Sequence, residues 1–103
     1  MEKPTVVCLC GSTRFKDAFT AAMRDETLNG KIVLTVGVFS HLEGLNMDGA
    51  TKQMLDELHL RKIDLADEVL FINVGGYIGQ STKRELTYAK DHAKVIRFLE
   101  QES

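Results

Sequence analysis

Four short, β-rich apolar runs, each separated from the next by a stretch with helical spacing, constrain this chain more than any other feature. The runs are Thr5 to Cys10 (TVVCLC), Lys31 to Phe39 (KIVLTVGVF), the segment opened by Asp67 (EVLFINV), and Ala93 to Leu99 (AKVIRFL). Nearly continuous apolar runs of this length suit strands covered on both faces. Between the first two, Phe15, Phe19, Ala22 and Met23 recur at helical spacing, with Lys16, Asp17, Arg24 and Asp25 on the other face. Asn29-Gly30 ends that helix, since both residues tolerate a left-handed cap. A second helix, with Met54, Leu55 and Leu58 on one face, runs from about Ala50 to Asp64 or Leu65, and a third from Ser81 to about His92. The order βαβαβαβ predicts an α/β fold: a small doubly wound, flavodoxin- or Rossmann-like parallel sheet of about four strands with helices on both faces. The expected strand order is 2-1-3-4, with a switch point between the first and third strands. The loops at Gly11 and Gly75 then border one crevice, where ligands bind in such sheets.

Composition narrows the class further. At 103 residues the chain is expected to form one domain, residues 1–103, able to bury a core without staples. A net charge of -2 supplies no general attraction for nucleic acid phosphates. No apolar run approaches membrane-spanning length, and no signal-peptide pattern is present. Cys8 and Cys10 share one predicted strand and one face, which is poor geometry for a disulfide. These features predict a reduced, cytoplasmic protein that binds neither nucleic acid nor membrane. The two cysteines and three histidines show no metal-ligand spacing, and no cofactor or metal is expected.

Two motifs carry chemistry. Gly11-Ser12-Thr13-Arg14 joins a strand to a helix N-terminus, where unpaired N–H groups and the helix dipole favour an anion. The hydroxyls add donors and Arg14 adds a guanidinium suited to phosphate. The same tetrapeptide can equally be a plain helix cap, with Ser12 or Thr13 capping and Arg14 in solvent. The second motif is the loop carrying Gly75, Gly76 and Gly79, followed by Ser81-Thr82-Lys83-Arg84-Glu85. If Ser81 and Thr82 open the helix, Glu85 falls in its first turn and faces the crevice, where the helix dipole keeps it ionised as a nucleophile requires. T-x-x-E is also a capping box, in which Glu85 would reach back to an amide instead. Tyr77 on the same loop either stacks on a base or covers the crevice. Elongated segment SHLEGLNMDGA, after the second strand, is too long for a simple turn; loops of that length are often functional or mobile.

Over roughly residues 5 to 98 the chain resembles the nucleoside 2-deoxyribosyltransferase superfamily, and most of all its deoxynucleoside monophosphate N-glycosidase branch. Cys10-Gly11-Ser12-Thr13-Arg14 is similar to that branch's Cys-Gly-Ser-x-Arg phosphate loop. Ala66-Asp67 before an apolar strand, a glycine-rich loop, Glu85 four residues before Ala89, and Lys94-Val95 opening the last strand complete the likeness. In the family, the glutamate of Glu-x-x-x-Ala is the nucleophile. The resemblance therefore implies cleavage or transfer at the N-glycosidic bond of a deoxynucleoside or its 5′-monophosphate. It also implies a nucleoside or nucleotide as the small-molecule partner, and a homodimer or higher homo-oligomer. Glu85 would be catalytic. The family's second acidic position, about two turns before the strand-opening residue, falls on His59, with Asp56 and Asp64 nearby; His59 and Asp64 become the further catalytic candidates. Cys10, Gly11, Ser12, Arg14, Asn73, Gly75, Tyr77, Gly79, Ser81 and Thr82 would line the substrate site. Cys8 stands where the family usually has a tyrosine, and Ser81 where it has a glycine. The alternative is a nucleotide-binding module of the same fold without catalysis.

Overall fold

A computed structural model describes residues 2–39 and 48–101. The sheet has four parallel strands, β1 (Val6–Gly11), β2 (Ile32–Leu34), β3 (Glu68–Ile72) and β4 (Val95–Phe98), in the order β2-β1-β3-β4. Among the described residues three α-helices connect them: α1 (Lys16–Leu28), α2 (Gly49–Leu65) and α3 (Gln80–Asp91). The expected α/β class, strand order and switch point between β1 and β3 are all present.

Strand alternation explains why helices cover both faces. In β1, Val7 and Leu9 join Leu70 and Ile72 of β3 against Phe19 and Ala22 of α1. The intervening Cys8 and Cys10 join Val69 and Phe71 against Ile63 and Ala66 at the end of α2 and Ala89 of α3. A period of two thus feeds two separate cores from the same central strands. Burying a side chain the size of Phe19 or Phe71 contributes about 1.5–3 kcal/mol relative to exposure, so either layer outweighs any single surface ion pair.

The second strand is shorter than its apolar run, because pairing with β1 stops at Cys8↔Leu34. Beyond that point the Lys62 ammonium of α2 donates to the Thr35 carbonyl at 2.8 Å, and Val36 to Val38 turn to line a crevice. The long loop expected after Phe39 lies, from residue 40 to 47, outside the described residues. Its end is defined: Asp48 caps α2, its Oδ1 accepting from the Thr51 N–H at 2.7 Å.

Two polar devices tie the ends of the sheet together. The Asp67 carboxylate accepts from the Val6 N–H at 2.9 Å, while the Asp67 N–H donates to the Val6 carbonyl at 2.8 Å. The amide that the Asp67 carboxylate holds is 61 residues away in the sequence. At the same end, Glu26 and Glu68 bind Lys31 and Arg97 in a half-buried network joining α1, β3 and β4.

Candidate functional site

The end of β1 and the loop after it, the segment after β2, the loop after β3 from Tyr77, the start of α3 and one face of α2 surround a crevice of about 1000 Å³. That volume sits at the upper end of the range for small-molecule sites. Its position follows from topology. Chains leaving β1 and β3 turn to opposite faces of the sheet, so a gap opens between their loops.

The loop after β1 forms one wall. Gly11 is required by close approach, because a Cβ there would stand 2.9 Å from the Ile72 carbonyl oxygen and 3.3 Å from Phe19. Ser12, Thr13 and Arg14 follow along the crevice. The plain-cap reading of this loop does not hold: the N-cap of α1 is Phe15, with no side-chain cap bond. Ser12 Oγ instead accepts from Arg14 Nε at 3.1 Å and from the Arg14 N–H at 3.3 Å. The Arg14 guanidinium lies 4.8 Å from the centre of the Tyr77 ring, and Tyr77 meets Phe15 edge-on. Arg14 therefore stands at the crevice wall, against Tyr77, while staying exposed to solvent.

The start of α3 forms the opposite wall. Its N-cap is Gly79, and the Lys83 N–H donates to the Gly79 carbonyl at 2.9 Å. The helix thus begins before Ser81, and Glu85 is its sixth residue rather than a member of the first turn. This removes the capping box, which would need Thr82 as the N-cap. Thr82 is buried at 4% exposure on the inner side of the helix, one turn before Glu85. Both line the crevice, with Gly79, Gln80 and Ser81. The expected support for ionisation changes as well. Burial raises the Glu85 pKa above the ordinary carboxylate range, aided by the charges of Cys8 and Asp56, while the charge of His59 opposes the rise. A local helix dipole gives way to desolvation one turn further in.

The third wall is α2, where Lys52, Asp56, His59 and Lys62 recur at three- and four-residue spacing on the crevice side. His59 is 7% exposed and reaches down to the sheet. Its Nε2 lies 3.2 Å from Cys10 Sγ and 3.7 Å from Cys8 Sγ, both fully buried. The two thiols share their environment unequally. Cys8 is lowered to about 6, chiefly by the hydrogen bond from Cys10 and further by His59, against the effect of burial. Burial pushes the Cys10 thiol up, and the neighbouring Cys8 and Glu85 add to the rise. His59 is raised: burial disfavours its charged form, but the hydrogen bond and charge of Cys8 and the charge of Glu85 outweigh it.

The candidates do not all converge. Glu85, His59, Gly11, Ser12, Arg14, Tyr77, Gly79, Ser81 and Thr82 line the crevice, and Cys10 lies directly beneath His59. Asp64 is elsewhere, on the side of α2 that meets α3, accepting from the Tyr88 hydroxyl at 2.6 Å and pairing with Arg61 at 3.2 Å. Both polar atoms of the Asn73 side chain are bound to the Glu100 backbone, and the Gly75 N–H donates to the Glu100 carboxylate. Gly75 and Gly76 take positive φ to make the turn after β3, but the wall of the crevice begins at Tyr77. Lys52, Lys62 and Val36 to Val38 also line the crevice and were not singled out by sequence; only the helical phase shared with His59 points to the two lysines.

Neither a protein-family model nor a curated protein matches the chain.

Proposed function

We propose that this protein cleaves or transfers at the N-glycosidic bond of a deoxynucleoside or its 5′-monophosphate, with Glu85 as the nucleophile. The observation that carries the reading is the placement of Glu85 and the Gly11-to-Arg14 loop on facing walls of one crevice. That arrangement offers a nucleotide a carboxylate for the sugar and donors for the phosphate in one crevice. The resemblance to the nucleoside 2-deoxyribosyltransferase superfamily assigns the same two motifs to the same two tasks.

In this mechanism a Glu85 carboxylate oxygen forms a bond to the anomeric carbon as the bond from that carbon to the base nitrogen breaks. The electron pair leaves with the base, which takes up a proton, and the sugar passes through an oxocarbenium-like transition state. Water then cleaves the resulting ester in a hydrolase, or a second base does so in a transferase. His59 is a positioning residue: its charge opposes the effect of burial on the Glu85 carboxyl. Ser12, Arg14 and the N–H groups at the start of α1 would hold a 5′-phosphate.

The test is a panel of deoxynucleosides and deoxynucleoside monophosphates, with free base followed by chromatography, with and without an acceptor base. Base release is expected from the unaltered protein and not from Glu85→Gln. Release that persists in Glu85→Gln would remove the nucleophile assignment. Calorimetric binding of a nucleotide with no release from any member of the panel would make the chain a binding module.

A further inference from the structure

The cluster beneath the crevice has a property that nucleotide chemistry does not use. Cys8 Sγ, Cys10 Sγ and His59 Nε2 all lie within 4.8 Å of one another. The sulfurs come from alternate residues of β1, so their spacing is set by a backbone paired to β3 at both cysteines and to β2 at Cys8. The imidazole comes from α2 and directs one ring nitrogen at both sulfurs, at 3.2 and 3.7 Å. In a tetrahedral zinc site, bonds of about 2.3 Å to sulfur and about 2.0–2.1 Å to nitrogen place neighbouring donors roughly 3.5–3.8 Å apart. The present spacings need only small side-chain adjustments to reach that arrangement.

We propose that Cys8, Cys10 and His59 form a binding site for a thiophilic divalent cation of the zinc type, with its fourth position opening toward the crevice beside Glu85. Two sulfurs and an imidazole are a soft donor set, suited to zinc and unsuited to magnesium or calcium, which take oxygen ligands. Three protein ligands with one position left over is the arrangement of an open rather than a closed zinc site. His59 lines the crevice and the sulfurs lie behind it, so the imidazole edge is the side from which a cation enters. Binding would displace the thiol protons, leaving two thiolates and a neutral imidazole as ligands. The site shares His59 with the glycosidase reading but not the proposed nucleophile Glu85, so metal uptake and base release are separate readouts.

The experiment uses the full chain, reduced and freed of metal with a chelator, then titrated with cobalt(II) and afterwards with zinc(II). One cobalt per chain is expected, with a sulfur-to-cobalt charge-transfer band of two-thiolate intensity, tetrahedral ligand-field bands, and displacement of both signals by zinc. His59→Asn should lose at least about tenfold in zinc affinity, because a direct ligand matters no less than an outer-shell partner. Replacing Cys8 and Cys10 together by alanine should abolish the charge-transfer band, with circular dichroism confirming the fold. Should that double variant fail to fold, the band intensity of the unaltered protein still decides the matter. Cobalt uptake without a charge-transfer band, or zinc affinity unchanged in His59→Asn, would overturn the proposal. Base release is scored separately, so neither result stands in for the other.

Discussion

Asn73 and Glu100 hold each other reciprocally: Asn73 Nδ2 donates to the Glu100 carbonyl at 2.9 Å, and the Glu100 N–H donates to Asn73 Oδ1 at 2.8 Å. The pair fastens the chain after β4 to the turn after β3, and Asn73 is 2% exposed. Asn73→Ala would leave both backbone groups of Glu100 without that partner. A loss of about 1–3 kcal/mol is expected, read as a lower urea midpoint at unchanged slope. An unchanged midpoint together with weaker nucleotide binding would return Asn73 to the substrate site.

Gly11→Ala tests the closest approach in the crevice wall. The added methyl would stand 2.9 Å from a backbone oxygen of Ile72, which cannot swing aside as a side chain could. Destabilisation of about 1–3 kcal/mol is expected from overpacking. Thermal unfolding would measure it, and a midpoint equal to that of the unaltered protein would show that β1 and β3 separate easily at this end.

Arg14→Ala separates phosphate recognition from sugar chemistry. Under the proposed function it raises the KM for a monophosphate by about 10- to 100-fold, the worth of a charge-assisted hydrogen bond, and changes that for the free nucleoside little. Equal effects on both substrates would mean that Arg14 serves the crevice only through its stacking on Tyr77.

Ala93 has φ 56°, a left-handed conformation just past the end of α3. Glycine takes that conformation without the Cβ penalty, so Ala93→Gly should stabilise the protein. The gain, a few tenths to about 1 kcal/mol, is reduced by glycine's greater freedom in the unfolded chain. Chemical denaturation would detect it, and a loss of stability would show that the alanine methyl contributes more by packing than its backbone costs.

Acid should weaken the fold through Glu26. Its carboxyl is held below the ordinary value of 4.5 first by the hydrogen bond from Arg97, with Lys31 adding to the effect against the cost of burial. The unfolded chain therefore binds a proton at higher pH than the folded one does. The stabilisation from this group is complete above the unfolded pKa and is lost as pH falls through the lowered folded value. Urea midpoints measured downward from neutral pH should fall below about pH 4.5, and Glu26→Gln should flatten that fall while starting from a lower plateau.

Element type and order were legible because each depends on neighbours in sequence. The short apolar runs TVVCLC and EVLFINV suit covered strands, and α1 ends at Asn29 with Gly30 at φ 82° as its composition implies. Helix starts were less legible. Ser81 and Thr82 are better caps than Gly79, yet α3 begins at Gln80, which turns Thr82 inward and moves Glu85 into the second turn. Intrinsic capping preference is worth about 1 kcal/mol, less than burying one side of a helix against a sheet.

The sequence alone determined a βαβαβαβ chain whose Gly11 loop and Glu85 helix follow strands at the carboxyl edge of a parallel sheet, because local periodicity and right-handed crossovers leave few alternatives. Which side chains stand beside one another depends on how the helices pack on the sheet. His59 meets Cys8 and Cys10 across 51 and 49 residues, and Asp64, five residues further along the same helix, faces Tyr88 instead. A helix turns about 100° per residue, so neighbouring candidates on α2 point to different partners, and the angle at which α2 packs on the sheet selects which one reaches the crevice.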